Sequence, residues 1–141
     1  MILGLDIGKR RIGVAKLDYD GDAQLVLPLT LIHYRKPGDA LRKILELTAR
    51  EPISAIVLGY PLNPDGSKGE MAFLVEKWRL KLVEETGLKV HLCDERMTTK
   101  LAQRNLKDLG VHGNDRKTAI DMAAAVLILQ SWLAREKSNS E

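Results

Sequence analysis

Four carboxylates stand where a soluble fold seldom wants them. Asp6 interrupts the apolar run Ile2-Leu3-Gly4-Leu5-Asp6-Ile7. Asp94 and Glu95 follow directly on Val90-His91-Leu92-Cys93. Asp121 lies beside the apolar stripe Ile120, Ala123, Ala124, Leu127 and Ile128. Burying a carboxylate is costly unless it is paired or bound to metal, and gathered carboxylates raise one another's pKa. A hard divalent cation such as Mg²⁺ or Mn²⁺ relieves both problems through oxygen ligands. Two such ions about 4 Å apart serve phosphodiester hydrolysis by activating a water and stabilising the leaving oxygen. Each acid also has an ordinary explanation. Asp6 could pair with Lys9 or Arg11 across a turn. Asp94 could cap a following helix, and Glu95 could pair with Arg96. Asp121 closes the Thr118-Ala119-Ile120-Asp121 spacing of a capping box. Spacing alone leaves open whether the acids meet.

Basic residues accompany them. Between Arg96 and Lys117 stand six cations (Arg96, Lys100, Arg104, Lys107, Arg116, Lys117) against Asp108 and Asp115, and Lys9-Arg10-Arg11 forms a second cluster. The net charge is +3 and the pI about 9.0. This distribution suits either a polyanion partner or a solvated helix face. The loop from Gly59 to Gly69 departs from a Walker A sequence in its glycine spacing and in placing Ser67 before Lys68. It fits a rigid surface loop or a row of backbone donors for a phosphate. One cysteine, Cys93, excludes an internal disulfide, and three scattered histidines supply no zinc spacing. Cys93, Trp78 and Trp132 read as packing residues. With six aromatic residues in all, recognition by base stacking is not expected.

The elements that must position these groups follow from apolar periodicity. Ile2–Ile7, 12–17 and 25–34 read as three strands of an antiparallel meander, with a polar turn over 18–22. The 3.6-residue period then predicts a helix around Leu41, Ile44 and Leu45. A buried strand is expected over 53–58, a helix from Met71 to Gly87 and a strand over 88–93. Two more helices are expected, over 98–109 and from about Thr118 to Arg135, with Asp115 outside the last. The expected fold is α/β, a five-stranded mixed sheet of three antiparallel and two parallel strands with helices on both faces. The chain reads as one domain over 1–136 with a frayed tail over 137–141. It shows no secretory leader or membrane-length apolar run, so a cytoplasmic location and no membrane partner are expected.

Four segments in order, LDIGKRRIGVA (5–15), IVLGYPLNPDGSKGEMA (56–72), DERMTTKLA (94–102) and DMAAAVLILQ (121–130), together resemble the YqgF/RuvX family over nearly the whole chain. The resemblance implies a ribonuclease-H-like fold similar to the Holliday-junction resolvase RuvC. It implies a metal-dependent nuclease that matures the 5′ end of pre-16S rRNA, with Mg²⁺ or Mn²⁺ as cofactor. Carried over by motif, Asp6, Glu95 and Asp121 are the catalytic and metal-binding acids. Asp94 competes with Glu95, since neighbouring strand positions point to opposite faces. Lys9, Arg10, Arg96, Lys100 and Lys117 are candidates to hold the phosphate backbone of structured RNA or branched DNA. A DNA-junction endonuclease, which would need a homodimer to cut two strands, and a non-catalytic nucleic-acid- or ribosome-binding factor are the alternatives.

Overall fold

Apolar runs of strand length supply one continuous sheet. The computed structural model describes the backbone of residues 1–20, 23–94 and 113–140, and the side chains of 1–18, 24–94 and 122–136. Its strands are β1 (Ile2–Ile7), β2 (Arg11–Asp20), β3 (Ala23–His33), β4 (Ala55–Tyr60) and β5 (Lys89–Asp94). The order across the sheet is β3-β2-β1-β4-β5. β2 pairs antiparallel with β1 and β3, whereas β4 pairs parallel with β1 and β5. The mixed sheet is therefore the expected one.

The β2–β3 hairpin is longer than its composition suggests. Asp18, expected in a turn, faces Leu25 in the ladder, and pairing continues to Asp20 opposite Ala23. The ladder satisfies the backbone there whatever the polarity of the side chains. Pro28 is tolerated because β3 is an edge strand, and the register shift between Val14 and Ala15 lies beside it.

Helices cover both faces, by the two-residue alternation of each strand. Leu3, Leu5 and Ile7 of β1 point to one layer, with Ile12 and Val14 of β2 and Ile56 and Leu58 of β4. That layer is closed by α1 (Pro37–Arg50) through Ala40, Ile44 and Leu47 and by α2 (Glu70–Thr86) through Val75, Trp78 and Leu82. Pro37 opens α1 at a position that needs no backbone donor. Gly87 ends α2 in the left-handed conformation, φ 70°, donating its N–H to the Val83 carbonyl at 2.9 Å. Trp78 packs edge-on against Tyr34 at 6.2 Å between ring centres.

The other face carries Ile2, Ala15, Leu17, Val57 and Cys93. Over it lies α3 (Gly113–Ser140), through Ala125, Ile128 and Leu129, with Trp132 packed alongside. Cys93 and Trp78 are thus packing residues, as expected, and Trp132 stacks obliquely on His91 at 5.5 Å. α3 is longer than its apolar stripe, beginning at Gly113 so that Asp115 is helical, and running to Ser140. Helix interior tolerates the polar residues at both ends, which the stripe could not register. The helix expected over 98–109 lies outside the described residues.

Candidate metal and nucleic-acid site

The three parallel strands deliver their carboxyl ends to one edge of the sheet, where open α/β sheets place their ligands. Asp6 sits there, next to last in β1 and half-buried. Alternation with Leu5 and Ile7 puts it on the α3 face, two positions beyond Gly4. Gly13 stands opposite it in register and contributes no side chain. The chain then turns back through Gly8, whose N–H donates to the Arg11 carbonyl at 2.8 Å. A cleft of about 310 Å³ results, lined by Asp6, Gly8, Gly13 and the basic residues Lys9, Arg10 and Arg11.

Asp94 ends β5 at the same edge, but on the other face. It is in register with Tyr60, which packs against the layer of α1 and α2, as do Val90 and Leu92. Cys93 belongs to the α3 layer. Asp94 is therefore turned away from the face that carries Asp6. Glu95, Arg96 and Lys100 lie outside the described residues. Position 121 is in α3, four residues before Ala125 and eight, about 12 Å of helix rise, before Leu129. These positions follow one i, i+4 ridge, and its Ala125 and Leu129 pack on the sheet. The side chains of Asp121 and Lys117 are outside the described ones. Among the described residues no three His, Cys, Asp or Glu side chains form a metal-sized group.

Lys9 reaches across to the start of α2, 2.7 Å from Glu70. Both groups are largely exposed, so the pair is easily exchanged for another partner. Its hydrogen bond nonetheless holds the Glu70 carboxyl below its usual range. Arg10 is exposed on the same turn. Spacing gives no role to Arg35, Arg42 and Lys43, and places Arg11 only with Lys9 and Arg10. They come together around the outer side of this turn, from segments too far apart in sequence to read as one cluster.

The loop after β4 is the rigid surface loop of the two expected alternatives. Asn63 N–H donates to the Ser67 carbonyl at 2.9 Å, Gly66 N–H to the Asn63 carbonyl at 2.8 Å, and Ser67 N–H to the Asp65 carboxylate at 2.9 Å. Three backbone donors that could have faced a phosphate are thus used within the loop. Ser67 also holds the Asp65 carboxyl below its ordinary value. The loop is clamped to α2 by Glu76, which accepts from Tyr60 Oη at 2.6 Å and lies 2.8 Å from Lys68 Nζ. The Lys68 and Tyr60 hydrogen bonds keep the Glu76 carboxyl below its ordinary 4.5. Stabilisation from a depressed carboxyl is complete above its unfolded value and is lost as pH falls through the lower folded one. The melting-temperature difference between wild type and Glu76→Gln is therefore expected to shrink as pH is taken below 4.5. A difference that stays constant through that range would show that the clamp contributes nothing.

Comparisons with known proteins fit this arrangement. The family model described as RuvX, Holliday junction resolvase, matches residues 1–135. A protein of Chloroflexus aurantiacus, named as a candidate pre-16S rRNA nuclease, is 37% identical over 139 residues, covering 99% of this chain and 90% of the relative. One of Lactobacillus gasseri with the same name is 40% identical over 134 residues, covering 94% of each. Among solved structures, Thermus thermophilus RuvC bound to a Holliday junction superposes with a TM-score of 0.60 at 18% identity, over 96% of this chain and 95% of that one. The fowlpox virus resolvase bound to Holliday junction DNA gives 0.58 at 12% identity, over 99% of each chain. At such identities the likeness speaks for the fold, which is the ribonuclease-H-like one expected.

Proposed function

This chain belongs to the RuvX family, and from that premise we propose that it is a divalent-metal-dependent nuclease that trims the 5′ end of pre-16S rRNA. The observation that carries the reading is the position of Asp6. It is a half-buried carboxylate at the carboxyl edge of the parallel strands, beside a basic turn and a cleft. The donor set fits a hard cation, because Asp6, Glu95 and Asp121 offer oxygen alone. Asp94 faces the other side, which supports Glu95 as the acid of its pair. No helix among the described residues is long and apolar enough to cross a membrane. A cytoplasmic location goes with an rRNA precursor as substrate.

In this reading Asp6, Glu95 and Asp121 would hold Mg²⁺ or Mn²⁺. When bound, the ion supplies Lewis-acid stabilisation of charge at phosphorus and an activated water. Asp6 is held for that task by β1, a strand paired on both sides, so its carbon skeleton is fixed before substrate arrives. Lys9, Arg10, Arg96, Lys100 and Lys117 would bind phosphates flanking the scissile bond and orient it. Such contacts are independent of base sequence and sensitive to salt.

The likeness to two junction resolvases favours a second reading, a DNA-junction endonuclease acting as a homodimer. Incubating the protein with Mg²⁺ and, in parallel, a precursor rRNA and a four-way DNA junction separates the readings. Cleavage of the precursor at its 5′ side is the expected result. Cleavage of the junction alone would favour the second reading. Binding of both without cutting of either would leave a nucleic-acid-binding factor and refute the nuclease.

A further inference from the structure

Beside the Asp6 cleft lies a larger concavity, of about 1160 Å³, that the proposed chemistry does not require. Its charged lining is strongly one-sided. Among the described residues Lys9, Arg10, Arg11, Arg35, Arg42 and Lys43 face it, against the single carboxylate Asp39. Arg42, Lys43 and Asp39 share one face of the first turns of α1, three and four residues apart. α1 points its N-terminus toward this region, and Lys36, its N-cap residue, makes no side-chain capping bond. The helix dipole therefore adds to the positive potential.

The lining is also held in place. Tyr34 N–H donates to the Arg10 carbonyl at 2.9 Å, and Tyr34 Oη donates to the Gly8 carbonyl. These two bonds fasten the β1–β2 turn to the β3–α1 connection. Lys43 Nζ lies 3.4 Å from the His33 carbonyl on the same rim. Cations gathered on one surface repel one another and weaken folding. Fixing them by backbone hydrogen bonds suits a surface that meets a polyanion.

Lys9, Arg10 and Arg11 line both the concavity and the Asp6 cleft. The basic turn is thus a shared wall, and a strand crossing it passes from one to the other. We propose that this concavity is a second phosphate-backbone site, in which Arg35, Arg42 and Lys43 hold the nucleic acid that continues beyond the Asp6 cleft. The inference rests on the nucleic-acid substrate proposed above. A nucleic-acid backbone is preferred to a single phosphate because the cations are spread along a long open surface with no enclosed, convergent pocket. Among the described residues its aromatic rings are His33 and the buried Tyr34, a scarcity that favours contact with phosphates over stacked bases.

The test is equilibrium binding of the full chain to a fluorescent precursor-rRNA duplex, read by anisotropy over a series of salt concentrations without divalent metal. Leaving metal out keeps a failure of cleavage, which would sink the nuclease reading, from passing for a failure of this site. The variant Arg35→Ala/Arg42→Ala/Lys43→Ala removes three exposed side chains. Its control, Arg50→Ala/Lys89→Ala/Arg135→Ala, removes equal charge from exposed positions at the end of α1, the start of β5 and late in α3. The first is expected to bind roughly ten-fold more weakly at low salt, with the log–log salt slope shallower by about 2 to 3. The control should change affinity by no more than about two-fold, as distant exposed charges are screened. Matching melting temperatures exclude unfolding as the cause. Unchanged affinity and slope in the first variant, or an equal loss in the control, would overturn the proposal.

Discussion

Asp6→Asn is expected to lower divalent-metal-dependent cleavage by about 10³-fold, since a metal-held charge contributes several kcal/mol to the transition state and each 1.36 kcal/mol is tenfold. The substitution keeps the shape of the side chain and removes only its charge. Asp6 is half-buried at the end of a strand paired on both sides, so the backbone has little freedom to bring another donor into its place. Binding of RNA without metal should survive, because the basic turn and the concavity are untouched. The check is a single-turnover cleavage assay beside a melting curve. Undiminished cutting by a folded Asp6→Asn protein would remove this residue from the chemistry.

Gly4→Ala should disturb the packing of α3 on the sheet. A Cβ built at position 4 would stand 2.4 Å from Leu129 Cγ and 2.9 and 3.0 Å from its two methyl carbons. Leu129 is fully buried, packed with Ala125 and Ile128 of α3 against the sheet. Relief therefore requires α3 to lift or Leu129 to leave its rotamer, at a cost of about 1–3 kcal/mol. For a domain of this size the melting temperature should fall by roughly 3–12 °C. α3 also bears Asp121, two turns before Leu129, so cleavage should suffer more than stability alone explains. Leu129→Ala by itself opens a cavity and costs about 2–5 kcal/mol. Combined with Gly4→Ala it should cost less than the sum, because the new methyl enters that space. Strict additivity in calorimetric unfolding would show that the two positions do not meet.

Much of this architecture is legible in the chain because apolar runs of strand length and of helical period alternate. Ile2–Ile7 and the run over 53–58 announce buried strands, the second observed as Ala55–Tyr60, and the stripe through Leu41, Ile44 and Leu45 announces a covering helix, whose fully buried face proves to be Ala40, Ile44 and Leu47. What composition concealed was extent. Asp18 and Asp20 belong to the β2–β3 ladder, and Asp115 to a helix that outruns its apolar stripe. Both depend on backbone hydrogen bonding, which side-chain polarity does not reveal.

The site was legible unevenly for a similar reason. Asp6 stood out as a charge in an apolar strand. The face to which Asp94 turns needed the register of β5 against β4, although alternation of Val90 and Leu92 with His91 and Cys93 already hinted at it. Spacing could not pair Lys9 with Glu70, which is on another element. Nor could it gather Arg11, Arg35 and Arg42, which three separate segments bring to one concavity. The pairs Arg35-Lys36 and Arg42-Lys43, seven residues apart on either side of Pro37, were the available hint.

Titration of the full chain with Mn²⁺, following free metal by electron paramagnetic resonance, bears most directly on whether Asp6, Glu95 and Asp121 share an ion. Wild type should show saturable binding. Asp6→Asn, Glu95→Gln and Asp121→Asn should each weaken it by at least about tenfold, the loss of one charged ligand being worth 1.4 kcal/mol or more. Three folded variants that bind Mn²⁺ as wild type does would contradict a common site.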